Sequence, residues 1–294
     1  MTKSQLYSDD KKIFPVGTPF SINNLPKVSS WPAKLLNRPD EIFYKSKSEI
    51  LREFDQEKWG KLFDSLSKCS ENSLNNLEHL MFSDIEDIIY CFKGKFFKST
   101  PINAYKLYKK ILENELSSNM TESCLVEIGS GAGNLIIHLA KYFSSTSSYM
   151  AYELTKAGRA ITEMVARREQ VIIDVEYLDF DDGCLISKPP HDAVVFSSFA
   201  MVYCKNPEKI LKSLIARKPK EILLIEPIYQ MFDENTLIGL ISKRYFEVND
   251  YSIELYPVIK KLESQRLLNC VSIKKNYFAH NPLCPVSVLR LRPA

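Results

Sequence analysis

Apolar residues recur at helical spacing through much of the chain before residue 120. Such stretches run over 45–67, Leu77–Phe92 and about Ile102–Leu116. Apolar positions three and four residues apart lie on one helix face, so the spacing predicts three helices and an all-helical segment over 45–116. Residues 1–40, rich in Pro, Ser, Asn and Lys, predict an irregular arm whose aromatic residues pack on the rest of the protein.

After residue 120 short apolar strands alternate with helices. The predicted strands are Cys124–Ile128, Tyr149–Leu154, Val171–Leu178, Asp192–Ser197 and Glu221–Ile225, and the predicted helices are Asn134–Phe143, Ala157–Glu169 and Pro207–Ala216. This alternation is typical of a parallel sheet with helices on both faces.

The last part of the chain has a different pattern. It predicts a helix over Pro257–Leu268 that begins with its proline, and then strands over Val271–Ala279 and Val286–Leu291 joined by a Pro-containing turn. Two strands joined in this way form an antiparallel hairpin at the edge of the sheet. We therefore predict an α/β fold with a seven-stranded, mostly parallel sheet, a C-terminal antiparallel hairpin and an N-terminal helical extension.

Composition and charge narrow the class of protein. The 294 residues are 45% hydrophobic and 26% charged, with a net charge of +3, so no overall field favours nucleic acid or a membrane surface. Seven scattered cysteines without a Cys-x-x-Cys pair argue against a disulfide framework and a structural metal site. The polar start at Met1–Lys12 and the lack of a long apolar run predict a cytoplasmic protein that does not span a membrane.

The first predicted strand runs into a glycine-rich turn, which reads Glu127-Ile-Gly-Ser-Gly-Ala-Gly133. A glycine turn between a strand and a helix lets a ligand approach the backbone closely, because no Cβ is in the way. A dinucleotide site requires Gly-x-Gly-x-x-Gly with an acid about 20 residues later. Here Asn134 replaces the third glycine of that pattern and the acid precedes the turn, which favours a ligand that carries positive charge.

Four features in order resemble class I S-adenosylmethionine-dependent methyltransferases: the turn, Glu153 after the second strand, Asp179-Phe180 after the third, and the segment Asp192–Phe199. The resemblance covers about residues 100–294 and implies a Rossmann-like domain over 117–294, with an arm and helical cover at 1–116. It implies that Gly129, Gly131 and Gly133 cradle the amino-acid part of the cofactor beside Glu127, and that Glu153 binds the ribose hydroxyls. Asp179 and Phe180 would meet adenine, and Leu154, Ser197 and Ser198 would complete the cofactor site.

The residues that define the acceptor follow the ends of the later strands. We predict Tyr203 and His280 as catalytic candidates. The predicted substrate-binding residues are Tyr203, Tyr229, Arg244 and Tyr245, most of which lie in an insertion at 227–251 that would act as a substrate lid. Methyl transfer from a sulfonium mainly requires alignment and exclusion of water, so no single base is obligatory.

The resemblance implies methyl transfer to an oxygen or nitrogen of a small molecule or peptide, without a metal. The place after the fourth strand reads Ser-Ser-Phe-Ala-Met and lacks the Asn/Asp-Pro-Pro-Tyr/Phe stretch of many enzymes that methylate nucleic acids. An RNA or protein methyltransferase is the alternative within the class, and a non-catalytic binding subunit with the same fold is the alternative outside it. The sequence leaves the acceptor and the oligomeric state open.

Overall fold

The computed structural model describes residues 13–21, 24, 45–69, 73–82, 85–117, 123–143, 148–182 and 189–294. Most of the predicted arm at 1–40 lies outside these ranges. None of the described helices is long and apolar enough to cross a membrane.

The N-terminal part begins with the two-residue strand β1 (Thr18–Pro19). One continuous helical rod follows, which consists of α1 (Lys47–Ile50), a π-helix (Leu51–Lys58) and α2 (Trp59–Ser67). Then come α3 (Leu74–Phe82), β2 (Ile88–Phe92), β3 (Lys95–Ser99) and α4 (Pro101–Ser117). Ser46 starts the rod with a capping box, since its backbone N–H donates to Glu49 at 2.7 Å while its side chain accepts from the Glu49 backbone.

The prediction of an all-helical segment over 45–116 is wrong at residues 88–99. β2 and β3 form an antiparallel hairpin there. Lys93 and Gly94 connect the two strands with φ values of 50° and 75°, the left-handed backbone of a two-residue hairpin turn. The β-branched and aromatic run Ile88–Phe92 pairs across this turn, and sheet pairing therefore overrides the apparent helical spacing.

The alternation after residue 120 is confirmed. Its elements are β4 (Cys124–Ile128), α5 (Asn134–Tyr142), β5 (Ser148–Glu153), α6 (Lys156–Arg168), β6 (Asp174–Tyr177), β7 (Val194–Ser198), α7 (Pro207–Ile215), β8 (Glu221–Pro227), α8 (Leu237–Val248), α9 (Leu255–Ser264), β9 (Leu268–Ala279) and β10 (Val286–Pro293). The last predicted helix begins at Leu255, so Pro257 is its third residue rather than its first. The insertion at 227–251 contains α8.

The described strands form one mixed sheet in the order β1-β3-β2-β9-β10-β8-β7-β4-β5-β6, ten strands where seven were expected. The strands from β8 to β6 are parallel, and β10 is antiparallel to both β8 and β9, as the predicted hairpin requires. β2 pairs with β9, which adds the N-terminal hairpin and β1 to the same sheet. Two of the three extra strands, β2 and β3, come from the segment expected to be helical, and β1 comes from the predicted arm.

β4 lies where the chain changes direction across the sheet, with β5 on one side and β7 on the other. In open α/β sheets ligands bind in the crevice at the carboxyl ends of the strands at this point. Alternate β4 residues belong to different cores, since Leu125 packs with α4 and α5 while Val126 packs with α7 and α9. Both faces of the central sheet are covered, which leaves the strand ends as the accessible part.

Candidate functional site

A cavity of about 620 Å³ opens at the carboxyl ends of the central strands. Its walls include most of the predicted site residues: Glu127, Gly129, Gly131, Glu153, Leu154, Asp179, Phe180, Ser198, Tyr203, Tyr245 and His280. Gly133, Ser197, Tyr229 and Arg244 do not line it. The fold thus brings together residues that are up to 153 positions apart in the chain, from Glu127 to His280.

The glycine turn is held tightly against the neighbouring elements. Gly129 donates its backbone N–H to the Tyr152 carbonyl at 2.8 Å, and Gly131 donates to Glu153 Oε2 at 2.8 Å. Gly133 is the N-cap of α5 with φ of 73°, and a Cβ there would lie 2.3 Å from Thr162 Oγ1. Only glycine fits this position, because both the backbone conformation and the packing of α6 exclude a side chain.

Glu127 is fully buried beneath the turn. Its Oε2 accepts the backbone N–H of Ile136 in the first turn of α5 at 3.1 Å. Burial raises the pKa of the Glu127 carboxyl well above its ordinary value, and the nearby Glu153 carboxylate adds to this effect. A positively charged ligand group in the cavity would stabilise the ionised form of this acid.

Glu153 ends β5 and is bound on both oxygens by the protein. Oε1 accepts from the Thr155 backbone at 2.8 Å and from Thr155 Oγ1 at 2.7 Å, while Oε2 accepts from Gly131. Burial raises the pKa of the Glu153 carboxyl despite these bonds. The bonds hold the carboxylate at the cavity wall, where its remaining lone pair can accept from a ligand.

Asp179 and Phe180 follow β6 at the other side of the turn. Asp179 Oδ1 accepts from the Asp181 backbone at 2.9 Å, and Oδ2 forms an ion pair with Lys47 of α1. Phe180 lies against the turn, since its ring is 3.3 Å from where a Cβ on Gly129 would be. An apolar ring next to a buried hydrogen-bond acceptor is suited to a flat heterocycle with an amino group.

The helical rod closes one side of the cavity. Phe54, Lys58 and Trp59 line it, and the Trp59 indole is 3.1 Å from the position of a Cβ on Gly131. Asp55 in the π-helix accepts the backbone N–H of Ala157 in α6 at 2.7 Å. π-helical turns occur frequently at functional sites, and here Phe54 of the π-helix and Trp59 at the start of α2 lie over the strand ends.

A second group of aromatic residues surrounds His280, which directly follows β9. Phe82 of α3 and Tyr105 and Tyr108 of α4 lie around its imidazole, together with Phe278 of β9. Sequence reasoning placed the helices of this region over the site and did not single out these side chains. Their helical spacing showed that they would be buried, which is also true of ordinary core residues.

The remaining predicted residues lie behind the cavity wall. Ser197 is buried and donates to Glu226 Oε1 at 2.6 Å. Tyr229 donates to Glu247 Oε1 at 2.8 Å, and Arg244 contacts Glu247 Oε2 at 3.4 Å. The predicted substrate roles of Tyr229 and Arg244 stay predictions, since their described contacts are with α8 rather than with the cavity. Within the described ranges no group of three or more His, Cys, Asp or Glu side chains is placed to hold a metal ion.

Two solved structures are similar in fold to this chain over most of its length. Magnesium protoporphyrin IX methyltransferase (ChlM) from Synechocystis PCC 6803, crystallised with bound SAH, is similar over 84% of this chain and 100% of its own, with a TM-score of 0.53 and 10% identity. The [4+2]-cyclase SpnF is similar over 87% of this chain and 99% of its own, with a TM-score of 0.55 and 11% identity. The sequence matches no family model, and no curated protein is significantly similar to it.

These similarities show the fold. The chain has the α/β fold of class I S-adenosylmethionine-dependent methyltransferases, as the ordered motifs predicted. One of the two structures is named for methyl transfer and the other for a [4+2] cyclisation, so the reaction has to be argued from the site.

Proposed function

We propose that the protein is an S-adenosylmethionine-dependent methyltransferase that methylates an oxygen or nitrogen atom of a small molecule or peptide. One observation carries this proposal: the glycine turn, Glu153, Asp179 and Phe180 line a single cavity at the switch point of the sheet. These are the residues that the sequence resemblance assigns to the methionine, ribose and adenine parts of the cofactor.

The side chains present suit such a cofactor. Glu153 offers a fixed carboxylate to a ribose hydroxyl group, and Phe180 offers an apolar ring to adenine. Glu127 and Glu153 are two buried acids whose pKa values are raised, and a ligand with a sulfonium and an ammonium group supplies the positive charge that favours their ionised forms. No other buried feature of the described cavity calls for a different cofactor.

The reaction requires little acid–base chemistry from the protein. When bound, S-adenosylmethionine supplies an electrophilic methyl group, which passes to a lone pair of the acceptor as the C–S bond breaks toward sulfur, and a protic acceptor releases one proton. The side chains of the rod and the aromatic residues that line the cavity would displace water from around the acceptor and align it with the strand ends. Tyr203 and His280, the predicted catalytic candidates, lie in the cavity wall, where each can hydrogen-bond to the acceptor.

The cavity volume supports a small acceptor over the RNA or protein alternative. About 620 Å³ is within the usual range of small-molecule sites, roughly 300–1,000 Å³, and has to hold cofactor and acceptor together. A location in the cytoplasm stays a prediction. It is supported by the buried free thiols of Cys91, Cys124, Cys204 and Cys284.

Calorimetric titration with S-adenosylhomocysteine tests the cofactor assignment. We expect one molecule to bind per chain, and Phe180→Ala to weaken binding at least about tenfold through loss of its ring contact. Phe14→Ala is the matched control, because Phe14 is 70% exposed. A folded chain that binds neither S-adenosylhomocysteine nor S-adenosylmethionine would refute the proposal. A chain that binds S-adenosylmethionine but forms no S-adenosylhomocysteine when acceptors are added would favour the non-catalytic alternative.

A further inference from the structure

His280 stands at the centre of an aromatic cage. We define the His280 cage as Phe82, Tyr105, Tyr108 and Phe278, whose ring centroids lie 6.4, 5.7, 5.8 and 4.9 Å from that of His280. α3, α4 and β9 supply these residues. Tyr108 and Phe278 meet the imidazole edge-on, at interplanar angles of 72° and 85°. These rings form apolar walls around the imidazole, which is a polar group among them.

The cage adjoins the glycine turn rather than the predicted adenine site. β9 and β6 lie on opposite sides of β4 in the sheet, so His280 and Asp179 occupy opposite ends of the cavity. Asn134, the first residue of α5, donates its side-chain N–H to the Tyr105 hydroxyl. Tyr108 shares a hydrogen bond of 2.6 Å with Ser198 at the end of β7. These bonds fix the cage next to the turn that is predicted to hold the methionine part of the cofactor.

A second aromatic surface faces the same space. We define the tyrosine wall as Tyr203, Tyr245 and Tyr251, with Tyr251 5.4 Å from Tyr203 and 6.4 Å from Tyr245 between ring centroids. Phe54 of the π-helix packs edge-on against Tyr203 at 5.1 Å. The side chain of Asn281 lies close to Tyr245 and so links the wall to the loop that carries His280.

Both aromatic groups are uncharged at neutral pH. Burial raises the pKa of every tyrosine in the cage and the wall, so their hydroxyls stay protonated. Burial lowers the pKa of His280 to about 4, so its imidazole is neutral. The aromatic side chains themselves therefore offer an ionised acceptor no opposite charge in exchange for its lost hydration. The nearby lysines, Lys45 at 5.6 Å from the Tyr203 ring and Lys58 of the π-helix, are already paired with Glu53.

His280 Nε2 is an unpaired polar atom in the wall of this space. It is buried and has no hydrogen-bond partner among the described residues. Buried polar atoms are nearly always paired, and an unpaired one costs about 1–3 kcal/mol, so a ligand that pairs with it gains affinity. The Nε2 of a neutral imidazole either accepts or donates, according to the tautomer, and a hydroxyl group can complete either arrangement.

We propose that the His280 cage and the tyrosine wall form the methyl-acceptor subsite, and that the acceptor is a neutral, planar aromatic compound of one or two rings whose hydroxyl group hydrogen-bonds to His280 Nε2. The inference rests on the proposed function for its assignment as the acceptor end. His280 orients the hydroxyl toward the glycine turn, and the two aromatic surfaces hold the rings.

Three fluorescent probes of matched shape test the subsite on the full chain saturated with S-adenosylhomocysteine. They are 2-naphthol, 2-methylnaphthalene, which lacks the hydroxyl, and 2-naphthoate, which is ionised. We expect 2-naphthol to bind at least about tenfold more tightly than 2-methylnaphthalene, because only the former pairs with His280, and 2-naphthoate to bind most weakly. Equal affinities for the three probes, or a preference for 2-naphthoate, would overturn the proposal.

His280→Phe identifies the residue responsible. The variant should keep its affinity for S-adenosylhomocysteine and for 2-methylnaphthalene while the preference for 2-naphthol falls to less than about twofold. His79→Phe is the matched control, because His79 is exposed in α3 and should leave all three affinities unchanged. A preference that survives in His280→Phe would refute the role of this side chain.

The probe comparison on the unmodified chain needs no variant to fold. The same probe titrations are repeated on the chain without S-adenosylhomocysteine. Together with the binding of that compound itself, they separate the aromatic subsite from the proposed function. Failure of the chain to bind that compound refutes the proposed function, whereas its binding without probe discrimination refutes only the aromatic subsite. Probe discrimination without cofactor binding would overturn the assignment of the cavity end as a methyl-acceptor subsite.

Discussion

Lys47 of α1 forms an ion pair with Asp179, which follows β6 and is 132 residues away in the chain. The Lys47 side chain is 44% exposed and that of Asp179 only 5%. The ion pair, together with a 3.2 Å bond to the Tyr177 hydroxyl, raises the pKa of Lys47. It fastens the helical rod across the end of the cavity where the resemblance places adenine.

Replacement of Lys47 should accelerate cofactor exchange in both directions. Lys47 and the adenine amino group are donors to the same carboxylate, and the ion pair also holds the rod closed. In Lys47→Met we therefore expect the association and dissociation rates of S-adenosylhomocysteine to rise together, each by about threefold or more, with a smaller change in Kd. Stopped-flow fluorescence measures both rates, because Trp59 packs against Gly131 of the glycine turn.

The ionic strength of the solution provides a second test of the Lys47–Asp179 ion pair. The dissociation rate should increase with ionic strength in the unmodified chain and much less in Lys47→Met, because an exposed ion pair is screened by salt. Lys61→Met is the control, since Lys61 is exposed on α2. Unchanged rates in Lys47→Met would show that the rod does not gate the cavity.

Glu153→Gln should lose cofactor affinity by at least about thirtyfold. The amide retains one acceptor oxygen and presents its NH₂ either to the Gly131 backbone or to Thr155, both of which are donors to Glu153. The loss of charge-assisted bonds and the donor–donor clash act together on the turn and on the ribose site. Calorimetry measures the affinity, and Glu163→Gln on the exposed face of α6 is the matched control. An unchanged affinity would remove Glu153 from the cofactor site.

Gly133→Ala should lower the free energy of unfolding by about 2–4 kcal/mol, from a left-handed backbone and a clash with the Thr162 side chain. Gly94→Ala separates the two effects. Gly94 has a similar φ of 75° but has nothing within 4 Å of the added Cβ, so only about 1 kcal/mol should be lost. Urea denaturation measures both values. Equal losses would mean that α6 moves aside without strain.

Glu226 should make the protein less stable as the pH rises. Burial raises the pKa of this carboxyl to about 7 from an ordinary 4.5. The unfolded chain releases the proton from about pH 4.5 upward while the folded chain keeps it until about pH 7, so the folded state binds more protons in this window. Stability then falls with pH, by about 3 kcal/mol for this group.

Urea denaturation of the parent and Glu226→Gln between pH 4.5 and 8 checks this contribution. The fall in stability should be smaller in the variant by about that amount, because glutamine does not titrate. Glu127 and Glu153 also lower stability as the pH rises, and His280 raises it. Because all three groups are present in both proteins, their contributions cancel in the comparison. Parallel pH profiles would show that Glu226 is ionised in the folded chain.

The elements after residue 120 could be predicted because their signals are local. Val126 and its neighbours form a short apolar run, and Gly129, Gly131 and Gly133 interrupt it before a helix. The β2–β3 hairpin was missed although its Lys93-Gly94 turn is also a local signal. Both of its strands contain apolar runs that are compatible with helical spacing, and pairing with β9, nearly 190 residues later, decides between the two.

The sequence by itself determined the fold class and the identity of the residues around the glycine turn, because strand, turn and helix propensities act over a few neighbours. Only the tertiary structure decided what faces that turn. The sequence pattern is typical of core residues at Tyr105, Tyr108 and Phe82 and of a surface charge at Lys47. Their place around the cavity follows only from the sheet, which brings α1, α3 and α4 to the strand ends. The raised pKa of Glu226 and the unpaired Nε2 of His280 likewise arise from burial, which depends on contacts between distant parts of the chain.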